Sequence, residues 1–96
     1  MKKREKSSAY CINSNVAWRE VDGKVAIVAP LSQELVILNH SASWLWQLMA
    51  EDPMSRLDLQ SALMEKFNLD ETQAAQDVDA FLEELREKDL INEVTS

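Results

Sequence analysis

The chain changes structural period at one point, between Leu38 and Asn39, and that change limits what it can fold into. Leu35, Val36, Ile37 and Leu38 are consecutive apolar residues with a β-branched pair at the centre, which predicts a short strand over Glu34 to Leu38. From Asn39 onward the period is helical. Ala42, Leu45, Trp46 and Met49 recur at steps of three and four and share one face of a helix over Ser41 to Met49. Asn39 or Ser41 can cap it, because either side-chain oxygen can accept a bond from an unpaired first-turn N–H. A strand that is apolar on both faces must be covered on both, or must keep one surface for a partner.

The residues before this junction predict a hairpin. Val16 to Val21 and Lys24 to Val28 flank Asp22-Gly23, a dipeptide suited to a two-residue turn with positive φ. Gly23 is the chain's single glycine, which fits that use. In this register Trp18 faces Ile27 and Val16 faces Ala29. Residues 1–14 are polar and without period, so they are expected to form a flexible tail to a domain over 15–96.

Beyond the junction, Asp52-Pro53 interrupts the first helix. Ser55, with Asp58 three residues later, resembles a capping box for a second helix near 56–67, with Leu59, Leu63 and Phe67 on one stripe. Asp70 caps a third helix, with Gln73 at the capping-box position. Its stripe is Ala74, Ala75, Val78, Phe81, Leu82 and Leu85, and Leu90 and Ile91 are expected to fold back onto the core. The fold class read from this order is α+β, winged helix-turn-helix-like: a three-stranded antiparallel sheet followed by three helices.

Composition narrows function by exclusion. With 96 residues the chain has room for one core, not for a core plus a substrate domain. Cys11 is the single cysteine and His40 the single histidine, so neither an internal disulfide nor a zinc constellation can be assembled. One glycine excludes a Gly-rich phosphate loop. The carboxylates lie on a polar helix face, not paired in an apolar pocket that would split their pKa values. A non-catalytic protein without cofactor is therefore expected. No apolar run approaches the ~18 residues that cross a bilayer, and no signal-peptide core follows the basic start, so a cytoplasmic protein away from membranes is expected. Net charge is −7, and residues 70–89 hold eight acids against two bases. Such a helix repels phosphate, which argues against DNA as a partner.

The stretch Leu38-Asn39-His40-Ser41-Ala42-Ser43-Trp44-Leu45-Trp46-Gln47-Leu48 resembles the Leu-Asn-x-Ser/Thr-Ala-x-x-aliphatic-Trp-x-Leu signature of the PqqD-like proteins, or RiPP recognition elements. Asp77-Val78-Asp79-Ala80-Phe81-Leu82-Glu83-Glu84-Leu85 is similar to the family's Asp-Val-x-x-Phe-Leu-x-x-Leu pattern, and Asp89-Leu90-Ile91 resembles its Gly-Leu-Ile close with Asp89 in place of glycine. The glycine that often follows the family's first helix is also missing, near Glu51-Asp52. The likeness covers about residues 16–91. It implies an adaptor that binds the leader of a ribosomally made precursor peptide by strand addition and presents it to a modifying enzyme, such as a radical S-adenosylmethionine protein as in the pyrroloquinoline quinone pathway. By the resemblance, one groove wall would be Leu35, Val36, Ile37 and Leu38, and the other Ala74, Ala75, Val78, Asp79 and Leu82.

Plain alternatives stand beside these assignments. Trp46 reads as the core anchor of the first helix, Phe81 and Leu85 as core, and Ala74 and Ala75 as close-approach positions for either a peptide or a helix. Trp44 falls off the apolar face and is either a contact surface or partly packed; it and the acidic third helix are candidates for docking the enzyme. The competing functional classes are a winged-helix nucleic-acid-binding regulator and an assembly subunit that uses its open edge to form a homodimer.

Overall fold

A computed structural model describes residues 8–95. The element order is β1 (Ser8–Ile12), β2 (Ala17–Val21), β3 (Lys24–Val28), β4 (Leu35–Ile37), α1 (His40–Glu51), β5 (Met54–Ser55), α2 (Arg56–Phe67), α3 (Glu71–Glu87) and β6 (Ile91–Thr95). The strands form two antiparallel sheets, ordered β2-β3-β4 and β5-β1-β6.

The first sheet is the expected one. Asp22 (φ 55°) and Gly23 (φ 82°) both lie at positive φ, the requirement of a type I′ hairpin turn. Trp18 pairs with Ile27 as read from the sequence, while Val16 precedes the first paired residue, Ala17. The inner face carries Val25, Ile27, Ala29, Val36 and Leu38, all buried against α1. Trp46 is fully buried there, and the ring of the half-exposed Trp18 meets it edge to face at 5.9 Å.

The helix ends follow their capping residues. Asn39, not Ser41, caps α1: its side-chain oxygen accepts from the Ala42 N–H at 2.8 Å and from the Ser41 hydroxyl at 3.2 Å. Ser55 and Asp58 close the reciprocal capping box, at 3.0 and 3.1 Å. Asp70 accepts from the Gln73 N–H at 2.8 Å. The end of α3 is a Schellman motif. The Leu90 N–H donates to the Leu85 carbonyl and the Asp89 N–H to that of Arg86, with Asp89 left-handed at φ 61°. Asp89 therefore occupies the conformation for which glycine is the usual residue, and an aspartate tolerates it better than most side chains.

The second sheet corrects the sequence reading. Residues 8–12, expected within a flexible tail over 1–14, form β1, the central strand between β5 and β6; the remainder of that tail up to residue 7 lies outside the described residues. Ser8-Ala-Tyr-Cys-Ile12 shows little alternation, and its main partner lies about eighty positions away in the chain, pairing Ser8 with Thr95 and Ile12 with Ile91. Strand formation here comes from that pairing and from burial of Tyr10, not from a local pattern. Asn13 closes the corner, its N–H donating to the Leu90 carbonyl and its side-chain amide to that of Asp89. Leu90 and Ile91 are buried, as expected, but Ile91 also opens the strand β6.

Candidate functional site

Strand β4 is an edge. It pairs with β3 on one side and with no other described strand on the other. Two backbone bonds fix which groups face outward: the Leu38 N–H donates to the Val25 carbonyl, and the Ala29 N–H donates to the Glu34 carbonyl, both at 2.9 Å. In an antiparallel ladder the hydrogen-bonded positions alternate. The backbone groups of Glu34, Val36 and Leu38 therefore point toward β3, and those of Leu35 and Ile37 point away from it. Their side chains divide the same way. Val36 and Leu38 are buried, whereas Leu35 and Ile37 are 62% and 56% exposed.

Ser43 holds this strand in place. Its hydroxyl accepts from the Val25 N–H at 2.8 Å and donates to the Leu38 carbonyl at 3.2 Å. The side chain thus inserts where one ladder bond between β3 and β4 would otherwise form, and it ties both strands to α1. Ser43 is the one buried polar side chain among the described residues. Its contribution was not read from the sequence, because a serine inside a helix looks like any solvent-facing position.

Helix α3 runs beside the open edge. At one end Lys88 lies 3.5 Å from Glu34, the residue before β4. Toward the other end, Asp77, Ala80, Phe81 and Glu84 share a cleft of about 230 Å³ with Asn39, Ser41, Ala42 and Leu45 of the strand-to-helix junction and with Leu63 beneath. At 3.6 residues per turn, Asp77, Phe81, Glu84 and Lys88 lie along one stripe of α3. Its two ends thus meet the residues that flank β4, Glu34 before it and Asn39 after it.

The expected site residues separate into groups. Leu35 to Leu38 lie on β4 as read, with Leu35 and Ile37 accessible and Val36 and Leu38 in the core. Ala74, Val78 and Leu82 are buried, and they set the position of α3 without offering surface. Ala75 and Asp79 lie on the far side of α3, where Asp79 is ion-paired with Arg56 at the start of α2. On α3 the residues that share a cleft with the strand-to-helix junction are Asp77, Ala80, Phe81 and Glu84.

The sequence profile of the PqqD family, described as coenzyme PQQ synthesis protein D, matches residues 24–91. The chain belongs to the PqqD family. The match covers most of the chain and includes β4, α1, α2 and α3. The structure described as "TbiB1 in Complex with the TbiA(beta) Leader Peptide" is similar in fold, with a TM-score of 0.77 and 21% identity over 85% of this chain and 94% of that chain. No protein among those of curated function matches the chain in sequence.

Seen in three dimensions, the PqqD-like signature residues mostly build the scaffold. Leu38 and Trp46 are core, Asn39 is the cap of α1, and Ala42 borders the cleft. Among the described residues no group of three or more His, Cys, Asp or Glu side chains could hold a metal ion, and no helix is long and apolar enough to cross a membrane. His40 is exposed at the start of α1. Trp44 is partly packed: its ring meets Phe67 edge to face at 6.0 Å, and the Lys66 ammonium lies 5.7 Å from its centre.

Proposed function

We propose that this PqqD-family protein is a non-catalytic adaptor that captures the leader region of a ribosomally made precursor peptide as an added strand on β4. It then presents the peptide to a modifying enzyme, of radical S-adenosylmethionine type, in the cytoplasm where the precursor is made. The observation that carries this reading is the outward-facing pair of N–H and C=O groups on Leu35 and Ile37, set beside the α3 cleft. An unpaired edge is a template for another chain, and here it is short and flanked by a helix, which suits a peptide better than a sheet. Family membership supports the same reading, as does the fold shared with a protein solved together with a leader peptide.

In this arrangement Leu35 and Ile37 supply the backbone bonds and an apolar flank. Val36 and Leu38 anchor the strand from beneath, and Ala74, Val78 and Leu82 hold α3 at groove distance. The acidic surface of α3 gives no support to a nucleic-acid-binding role.

The test is Ile37→Pro. Proline removes the outward N–H of residue 37 and leaves every bond to β3 in place, and edge strands tolerate proline where the N–H faces solvent. Titration uses the leader of a precursor peptide encoded beside this gene, followed by amide exchange. The expected result is new protection at Leu35 and Ile37 in the wild type, with about tenfold weaker binding in the variant, as the ladder bond from the residue 37 N–H is lost. Undiminished binding by Ile37→Pro overturns strand addition.

A further inference from the structure

We infer that the peptide taken by this edge is basic and apolar in alternation, with a Lys or Arg side chain turned toward α3. This inference rests on the strand-addition reading and adds the chemical class of the ligand. A strand added to β4 continues its pleat, so its side chains fall alternately on two unlike surfaces. One surface is the outer face of the first sheet, where Leu35, Ile37 and the 43%-exposed Val28 stand with Ala17 and Ala26 in register beside them, and Arg19 lies beyond Ala26 on the far strand β2. Nothing among the described residues covers that face, and apolar side chains on alternate positions of the peptide would shield it.

The other surface is the cleft beside α3. Its floor is apolar, from Ala42, Leu45 and Phe81, and its rim carries Asp77 and Glu84 one above the other on the same stripe. Asp77 is held in position by the side-chain amide of Gln73 at 2.8 Å. Neither carboxylate is ion-paired within the described residues, and the one cation of this stripe, Lys88, is engaged by Glu34. An apolar floor with an anionic rim matches a long basic side chain, which buries its aliphatic stem and keeps its charged head at the edge. An acidic peptide would instead bring like charges together there. The net charge of −7 extends the same preference to the encounter.

The experiment selects short random peptides on the immobilised wild-type protein and assays the winners, as labelled synthetic peptides, against three proteins. These are the wild type, Ile37→Pro, and the double variant Asp77→Asn/Glu84→Gln. The expected winners carry apolar residues at alternate positions with Lys or Arg between them, lose binding to Ile37→Pro, and bind the double variant about fivefold more weakly at low salt. Winners that need the Ile37 N–H but are neutral or acidic, or that ignore the double substitution, overturn the charge assignment and leave strand addition standing. Winners that bind Ile37→Pro as well as wild type, or an empty selection, overturn both.

Discussion

The two sheets are built from opposite kinds of information. The β2-β3-β4 sheet joins neighbours in sequence through a two-residue turn and a short loop, and each step leaves a local mark: Asp22-Gly23, the apolar alternation of Lys24 to Val28, and the run Leu35 to Leu38. The β5-β1-β6 sheet joins residues near the two ends of the described chain, with the two-residue β5 on the other side. The first sheet carries the open edge and the candidate site. The second clamps the ends of the domain, and its loop-closure entropy is recovered through burial of Tyr10, Leu90 and Ile91. A local pattern thus marks the sheet that carries the open edge, and a non-local one marks the sheet that holds the domain shut.

Helix α1 packs on both sheets. Trp46→Ala removes the fully buried ring and is expected to destabilise the protein by about 4 kcal/mol in urea unfolding, loosening both sheets together. Protection of one sheet's amides in the variant would show that α1 is not their common support. Tyr10→Ala separates them. It should lower stability by about 3 kcal/mol while the folded fraction keeps its peptide affinity, because Tyr10 contributes nothing to the β4 edge.

Ser43→Ala has the reverse character. Removing the hydroxyl leaves the Val25 N–H and the Leu38 carbonyl without that partner, for a loss of about 2 kcal/mol. Amide exchange should quicken at Val25 more than anywhere in β1. Equal quickening in β1 would mean that the two sheets are coupled through this serine. The smallest effect is a gain. Asp89→Gly relieves a left-handed aspartate at the end of α3 and should raise stability by about 0.5–1 kcal/mol, read as a higher urea midpoint at unchanged slope.

Read residue by residue, the sequence carried most of the first sheet and all three helices. Asp-Gly specified the hairpin, Ser55 with Asp58 and Asp70 with Gln73 specified two helix starts, and the stripe of α3 identified Ala74, Val78, Phe81, Leu82 and Leu85 as buried. Of the elements expected to carry the site, strand β4 was legible, because four apolar residues in a row announce a strand. The α3 wall was placed on the stripe Ala74-Val78-Leu82, together with Ala75 and Asp79. The apolar stripe of a helix reports what it buries in its own core, and Ala74, Val78 and Leu82 are indeed buried.

By itself, the sequence determined where the second and third helices begin, where the hairpin turns, which strand is left apolar on both faces, and the family to which the chain belongs. Those features depend on neighbours a few residues apart, through caps, turn dihedrals and side-chain period. Tertiary structure alone decided that residues 8–12 become a central strand, that the Ser43 hydroxyl inserts between β3 and β4, and that Asp77, Phe81 and Glu84 share a cleft with the start of α1. Each depends on the packing of segments distant in the chain, because only that packing sets which face of a helix meets which edge of a sheet.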